Sequence, residues 1–209
     1  MDGGRKVFEK MNYLIEELVR RQNLTVRGQD WDTNHERLTK NVVDQFAPLI
    51  PKGKVVDVGC GKGLARKHWV RHGFDWVGVT IGPDWEYMKH KECVRGDMHI
   101  LSRIVDADVV YARHVLEHSP MPVVALRRWM DISTRIIVVV PKPTPRAIDD
   151  TAHLSVLPRV NWIKYFNFLG LRIALQSEVE YSNPAPWPQT GGEFRFLLSH
   201  NQKKLFCRR

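Results

Sequence analysis

Apolar residues in this chain fall into short runs of strand length, separated by stretches in which they recur every three or four positions. The runs KVVDVG (54–59), DWVGVTI (75–81), ECVRGD (92–97), ADVVYA (107–112) and RIIVVVP (135–141) are bounded by Gly, Pro or Asp and read as buried strands. Between them, 62–72, 83–90, 98–105 and 120–132 carry helical spacing. Strands alternating with helices at this interval predict a doubly wound α/β sheet, parallel over its first five strands. A further helix, LPRVNWIKYFNFLG, precedes two long strand runs, LRIALQSEVEY and EFRFLLSHN. A loop rather than a crossover helix joins these two, so they are expected to pair antiparallel and complete a seven-stranded sheet. Ahead of the sheet, Thr33 and Glu36 have the T-x-x-E spacing of a capping box, preceded by an amphipathic stretch near 5–22. The expected organisation is an N-terminal helical segment (1–50, a lid or dimer contact), a main domain (51–202) and a disordered basic tail (203–209).

Composition narrows the class. With 209 residues, 43% hydrophobic and 26% charged, the chain can bury a substantial core as one soluble domain. No run approaches the eighteen or so apolar residues of a membrane span, and the first residues lack the apolar core of a signal peptide, so a cytoplasmic protein is expected. Cys60, Cys93 and Cys207 are odd in number and far apart, which favours reduced thiols over a disulfide framework. The net charge of +9 is uneven: residues 151–209 hold eight Lys or Arg against three Glu. That balance permits a nucleic-acid partner, but no basic stripe with interleaved aromatics favours one.

Two segments carry candidate chemistry. In VVDVGCGKG, a strand ends in Asp57 and is followed by Gly59, Gly61 and Gly63, which let a ligand approach the backbone at the carboxyl edge of the sheet. A dinucleotide fingerprint would need Gly where Leu64 stands, and a P-loop would need Ser or Thr where Gly63 stands. In ARHVLEHSP, His114, Glu117 and His118 have the H-x-x-E-H spacing of a zinc protease, a chemistry that needs both histidines on one helix face. His114, however, follows directly on a strand, and Ser119-Pro120 reads as the cap and first turn of the next helix. The segment is therefore a connection, the only later glutamates lie in or beside the last two strands, and no metal is expected.

The glycine segment, together with five parallel strands and a terminal antiparallel pair, resembles the class I S-adenosylmethionine-dependent methyltransferases, in particular the small-molecule, type 11-like enzymes, over roughly residues 50–200. The resemblance implies a Rossmann-like fold, S-adenosyl-L-methionine as cofactor and S-adenosyl-L-homocysteine as product. It places Asp57, Gly59, Cys60, Gly61 and Gly63 beneath the cofactor. It also implies that Asp97 accepts from the adenine amino group, that Met98 flanks the ring, and that Arg113 and His114 pass the methionine end. Where the family usually has an acidic ribose ligand, this chain has Thr80, followed by Ile81. Thr80 can make one ribose hydrogen bond, with Asp84 as a second candidate.

For the methyl acceptor, the resemblance directs attention to the loop after the fourth strand. His118 is the expected base, His114 a shaping contact and His153 a second candidate base, because imidazole titrates near neutrality. Trp31 and His35 are candidates for an N-terminal lid. NPAPW (183–187) resembles the motif of amino-methylating nucleic-acid enzymes, but it lies between the last two strands rather than after the fourth and reads as a rigid loop. Three activities remain in view. They are methyl transfer to a small-molecule, sugar or lipid-like acceptor, methyl transfer to RNA or protein, and cofactor binding without catalysis.

Overall fold

The computed structural model describes residues 33–81, 92–101, 106–182 and 190–201. The stretch near 5–22, Trp31, the 83–90 helix, Asp84, residues 102–105, NPAPW and the 203–209 tail lie outside them. Seven strands, β1 (Lys54–Val58), β2 (Asp75–Thr80), β3 (Cys93–Arg95), β4 (Val109–Arg113), β5 (Arg135–Pro141), β6 (Arg172–Ser182) and β7 (Thr190–Ser199), form one sheet in the order β3-β2-β1-β4-β5-β7-β6. The first five are mutually parallel, and β7 is antiparallel to both β5 and β6. Strand order reverses between β1 and β4. In such sheets the connections diverge there and open a crevice at the carboxyl ends of the strands.

Successive residues of a strand face opposite sides of the sheet, and both sides here are apolar. Val56, Val110, Val138 and Phe196 share one core with Leu126 and Trp129 of α3 (Pro122–Ile132) and with Trp162 and Phe166 of α5 (Arg159–Phe168). Val55, Val109, Ile137 and Leu197 share the other with Val42, Val43 and Phe46 of α1 (Thr33–Phe46) and with Trp69 of α2 (Arg66–Arg71). This two-sided burial explains why the strands read as continuous apolar runs. It also makes residues 33–46 part of the packed domain. A fifth helix, α4 (Pro145–Asp149), had no signal in the sequence pattern.

The expected boundaries move for identifiable reasons. α2 begins at Arg66 rather than 62, because residues up to 63 are held in a turn of left-handed glycines that a helix cannot use. α3 begins at Pro122, so the first-turn proline is Pro122 rather than Pro120. Ser119 instead closes a local turn, its Oγ accepting from the Met121 N–H at 3.0 Å. Cys60 and Cys93 are both thiols, with Sγ atoms 3.7 Å apart.

Phe196 is fully buried and meets Phe166 edge to face at 5.0 Å between ring centroids. Phe196→Ala is expected to cost about 3–5 kcal/mol through lost transfer energy and the cavity left behind. Urea unfolding with an unchanged slope measures it.

Candidate active site

The carboxyl ends of β1, β2, β3 and β4 meet around the glycine turn. Gly59, Gly61 and Gly63 all have positive φ (67°, 49° and 73°), a conformation that side chains resist. The Gly59 and Cys60 N–H groups both donate to the Val79 carbonyl, at 2.7 and 3.1 Å, which pins the turn to β2. A Cβ on Gly59 would stand 2.3 Å from a methyl of Val115, so the turn and the loop after β4 fit only with glycine there. Asp57 is buried beneath, and its Oδ2 accepts from the Trp76 indole at 3.1 Å. Burial raises the Asp57 carboxyl to about 7, against the opposing effect of that hydrogen bond. Thr80 closes β2 as a buried residue, and its carbonyl accepts from Gly96 N–H at 3.0 Å.

After β3, the backbone turns through Asp97 and Met98. Asp97 Oδ1 accepts from the His99 backbone N–H and pairs with its Nδ1, each at 2.7 Å. His99 Nε2 lies 2.7 Å from the Ser119 hydroxyl in the loop after β4. Asp97 Oδ2, by contrast, is buried and has no hydrogen-bond partner among the described residues. An unpaired buried carboxylate oxygen carries a desolvation cost that a donor from a ligand would remove. Met98 packs its side chain on the core, while its carbonyl accepts from the Trp129 indole at 3.0 Å.

The loop after β4 is organised by a buried carboxylate from the far strand. Glu193 on β7 is fully buried and takes Arg113 at 3.2 Å, His114 Nε2 at 3.0 Å and Arg195 Nε at 2.7 Å. Burial alone would raise its pKa, but the His114 hydrogen bond and the Arg113 charge prevail and hold Glu193 well below the ordinary carboxylate range. Burial and the neighbouring Arg113 charge push His114 down to about 4, so it donates to Glu193 as a neutral imidazole, with His35 of α1 a further unfavourable neighbour. His114 has a φ of 53°, the one positive value outside glycine among the described residues. Its N–H donates to Val139 O at 2.9 Å, and the strain holds the chain as it leaves the sheet.

Beyond that kink, Leu116–His118 form a single 3-10 turn rather than the helix a zinc protease requires. Glu117 is completely buried, neither carboxyl oxygen has a side-chain hydrogen-bond partner among the described residues, and burial raises it to about 8. Its carbonyl accepts from Leu154 and Ser155 N–H, both at 2.8 Å, docking the segment after α4 against the turn. That contact brings His153 to His118, with ring centroids 4.8 Å apart. Burial lowers His118 below the usual imidazole value, so it is neutral and carries a lone pair at pH 7.

The proposed site residues thus converge on one sheet edge: the glycine turn, Thr80, Asp97 and Met98 on the β1–β3 side, and Arg113, His114, His118 and His153 around β4. Arg113 and His114 point their polar groups to Glu193, which accounts for them as builders of the loop. Sequence reading missed Glu193, Arg195 and His99, each of which has a partner on another element: Arg113, Gln45 and Ser119 respectively. It passed over Glu117 once the protease reading failed, although an acidic residue between an apolar one and a histidine was a visible signal.

The sequence profile of the methyltransferase domain family matches residues 31–173, more than half of the chain. The chain belongs to that family. No curated protein matches it in sequence. Solved structures share its fold at low identity. A SAM-dependent methyltransferase from Archaeoglobus fulgidus superposes with a TM-score of 0.61 at 17% identity, covering 88% of this chain and 99% of the other. The magnesium protoporphyrin IX methyltransferase of Synechocystis PCC 6803, with bound SAH, gives 0.60 at 15% identity over 93% and 99%. The mitomycin 7-O-methyltransferase MmcR gives 0.56 at 17% over 78% of this chain and 54% of the other.

Two expectations follow for this methyltransferase. Glu193→Gln leaves Arg113 and Arg195 buried without their counter-charge and is expected to cost about 3–5 kcal/mol in urea unfolding. The second concerns pH. Folded Asp57 keeps its proton to about 7 while the unfolded chain releases it near 3.8, so between those values the folded state binds more protons. Stability therefore falls as pH rises across that window, and Asp57→Asn should flatten the fall in melting temperature between pH 4 and pH 7.

Proposed function

We propose that the protein transfers a methyl group from S-adenosylmethionine to an oxygen of a small-molecule, sugar or lipid-like acceptor that enters beside the loop after β4. The observation that carries the cofactor half of this reading is Asp97 Oδ2, a buried acceptor without a partner among the described residues, on the same edge as the left-handed glycine turn. S-adenosylmethionine supplies an activated methyl on a sulfonium when bound. The residues present fit it: Gly59, Gly61 and Gly63 offer backbone without side chains, Asp97 offers an acceptor, and Thr80 offers a ribose contact in place of a carboxylate. The protein's own work is to hold the acceptor in line, exclude water and receive a proton.

The acceptor half rests on His118 and His153. Their rings are 4.8 Å apart at the outer face of the loop, and His118 is held neutral by burial. His118 is oriented by a hydrogen bond from Nδ1 to Ala152 O at 2.9 Å, and His153 by one from Nδ1 to Ala147 O at 2.8 Å. Two fixed imidazoles suit a hydroxyl acceptor. Among the described residues no helix is long and apolar enough to cross a membrane, so nothing there requires a lipid-embedded substrate.

Calorimetric titration with S-adenosylmethionine and S-adenosylhomocysteine tests the cofactor half. The expected result is a Kd on the order of micromolar, weakened at least about tenfold in Asp97→Ala and in Gly61→Val. Absent binding by folded wild type would contradict it. An RNA acceptor would instead appear as RNA affinity that falls steeply with salt.

A further inference from the structure

We propose that Glu117, His118 and His153 form a binding site for a divalent first-row cation at the mouth of the acceptor side. One ligand atom of each residue lies within 4.8 Å of the other two. Carboxylate plus two imidazoles is a mixed oxygen and nitrogen donor set suited to ions from manganese to zinc, and three protein ligands leave positions open for a substrate oxygen.

Three independent features of the structure favour a cation there. The first is Glu117, completely buried with no side-chain hydrogen-bond partner for either carboxyl oxygen among the described residues. A bound cation would stabilise the ionised form of such a carboxyl group. His114 Nδ1 approaches one of those oxygens only to 3.7 Å. The second is the bracing of the imidazoles. Nδ1–H of His118 donates to the Ala152 carbonyl and Nδ1–H of His153 to the Ala147 carbonyl, which orients both rings. Metal-ligating histidines are oriented by just such backbone carbonyls.

The third is the backbone that joins the two halves. The Glu117 carbonyl receives both Leu154 and Ser155 N–H at 2.8 Å, and the Ser155 hydroxyl donates to the Ser119 carbonyl at 2.8 Å. The segment carrying His153 is thereby locked to the turn carrying Glu117 and His118. On the open side, Asp150 Oδ2 stands 3.9 Å from His153 Nε2 and offers a second carboxylate within reach of the site. Ligand atoms around a tetrahedral ion lie roughly 3.3 Å apart for bonds of about 2.0–2.1 Å. The ligand atoms here all lie within 4.8 Å of one another, so reaching that spacing is a closure of at most about 1.5 Å.

The set differs from the H-x-x-E-H protease arrangement, since His114 is turned toward Glu193 and the third ligand comes from a different segment. The role of the ion rests on the methyl-transfer reading: it would bind the acceptor oxygen and favour loss of its proton to solvent water, and the two imidazoles would then hold the ion instead of serving as the base. The site itself rests only on the ligand geometry.

Titration of the metal-free protein with Co2+, followed by its visible absorption, and with Mn2+ by calorimetry tests the proposal. One ion per chain is expected, with affinity at least about tenfold weaker in Glu117→Gln and in His153→Ala. Circular dichroism establishes that each variant is folded. If Glu117→Gln fails to fold, His153→Ala decides. Absence of binding up to millimolar ion, or undiminished binding in a folded variant, overturns the site. S-adenosylhomocysteine titrated into the same samples separates the two readings. Cofactor binding without ion binding removes the cation site alone, whereas ion binding without cofactor binding leaves the site standing and removes the methyl-transfer role.

Discussion

The charge on Glu193 organises the loop after β4 in this methyltransferase. A carboxylate taken wholly out of water must be matched, and here Arg113, His114 and Arg195 converge on it from β4, the loop after it and β7 itself. Arg195 also donates to Gln45 of α1 at 2.8 Å, so the same centre reaches the N-terminal helix. His114, held to Glu193, is left-handed, and just beyond it Val115 lies against Gly59 and Glu117 is buried. A site usually described loop by loop is thus one connected object. The glycine turn, the loop after β4 and α1 are tied to a single electrostatic anchor.

A second connection runs through Asp97, His99 and Ser119. It links the end of β3 to the same loop by two contacts of 2.7 Å and holds Asp97 so that one oxygen is engaged and the other is left over. His99 is a positioning residue in this arrangement. It fixes the carboxylate without itself facing the glycine turn.

How much of this was legible in the sequence depended on how local each cause is. The strands were legible because two-sided burial makes uniform apolar runs. The glycine turn was legible because positive φ at Gly59, Gly61 and Gly63 is a property of those residues alone. Asp97 was legible from its place after a strand, together with the family resemblance. The Glu193 anchor was not, since its partners Arg113 and His114 lie 80 and 79 positions away and an acidic residue in an apolar strand has no local signature. Pro120 and Pro122 offered two helix starts, and the pattern chose the wrong one because Ser119 serves a turn rather than a cap. Glu117 and His118 were visible, but the third member of their cluster, His153, is brought to them only by the docking of the segment after α4.

The central claim is that the glycine turn and the free oxygen of Asp97 form one cofactor site facing the loop after β4. A crystal structure of the protein with S-adenosylhomocysteine tests it most directly. The account predicts the adenine amino group within hydrogen-bond distance of Asp97 Oδ2 and the amino-acid end over Gly59–Gly63, with the sulfur toward His118 and His153. A ligand bound elsewhere, or an Asp97 still without a partner in the complex, would contradict it.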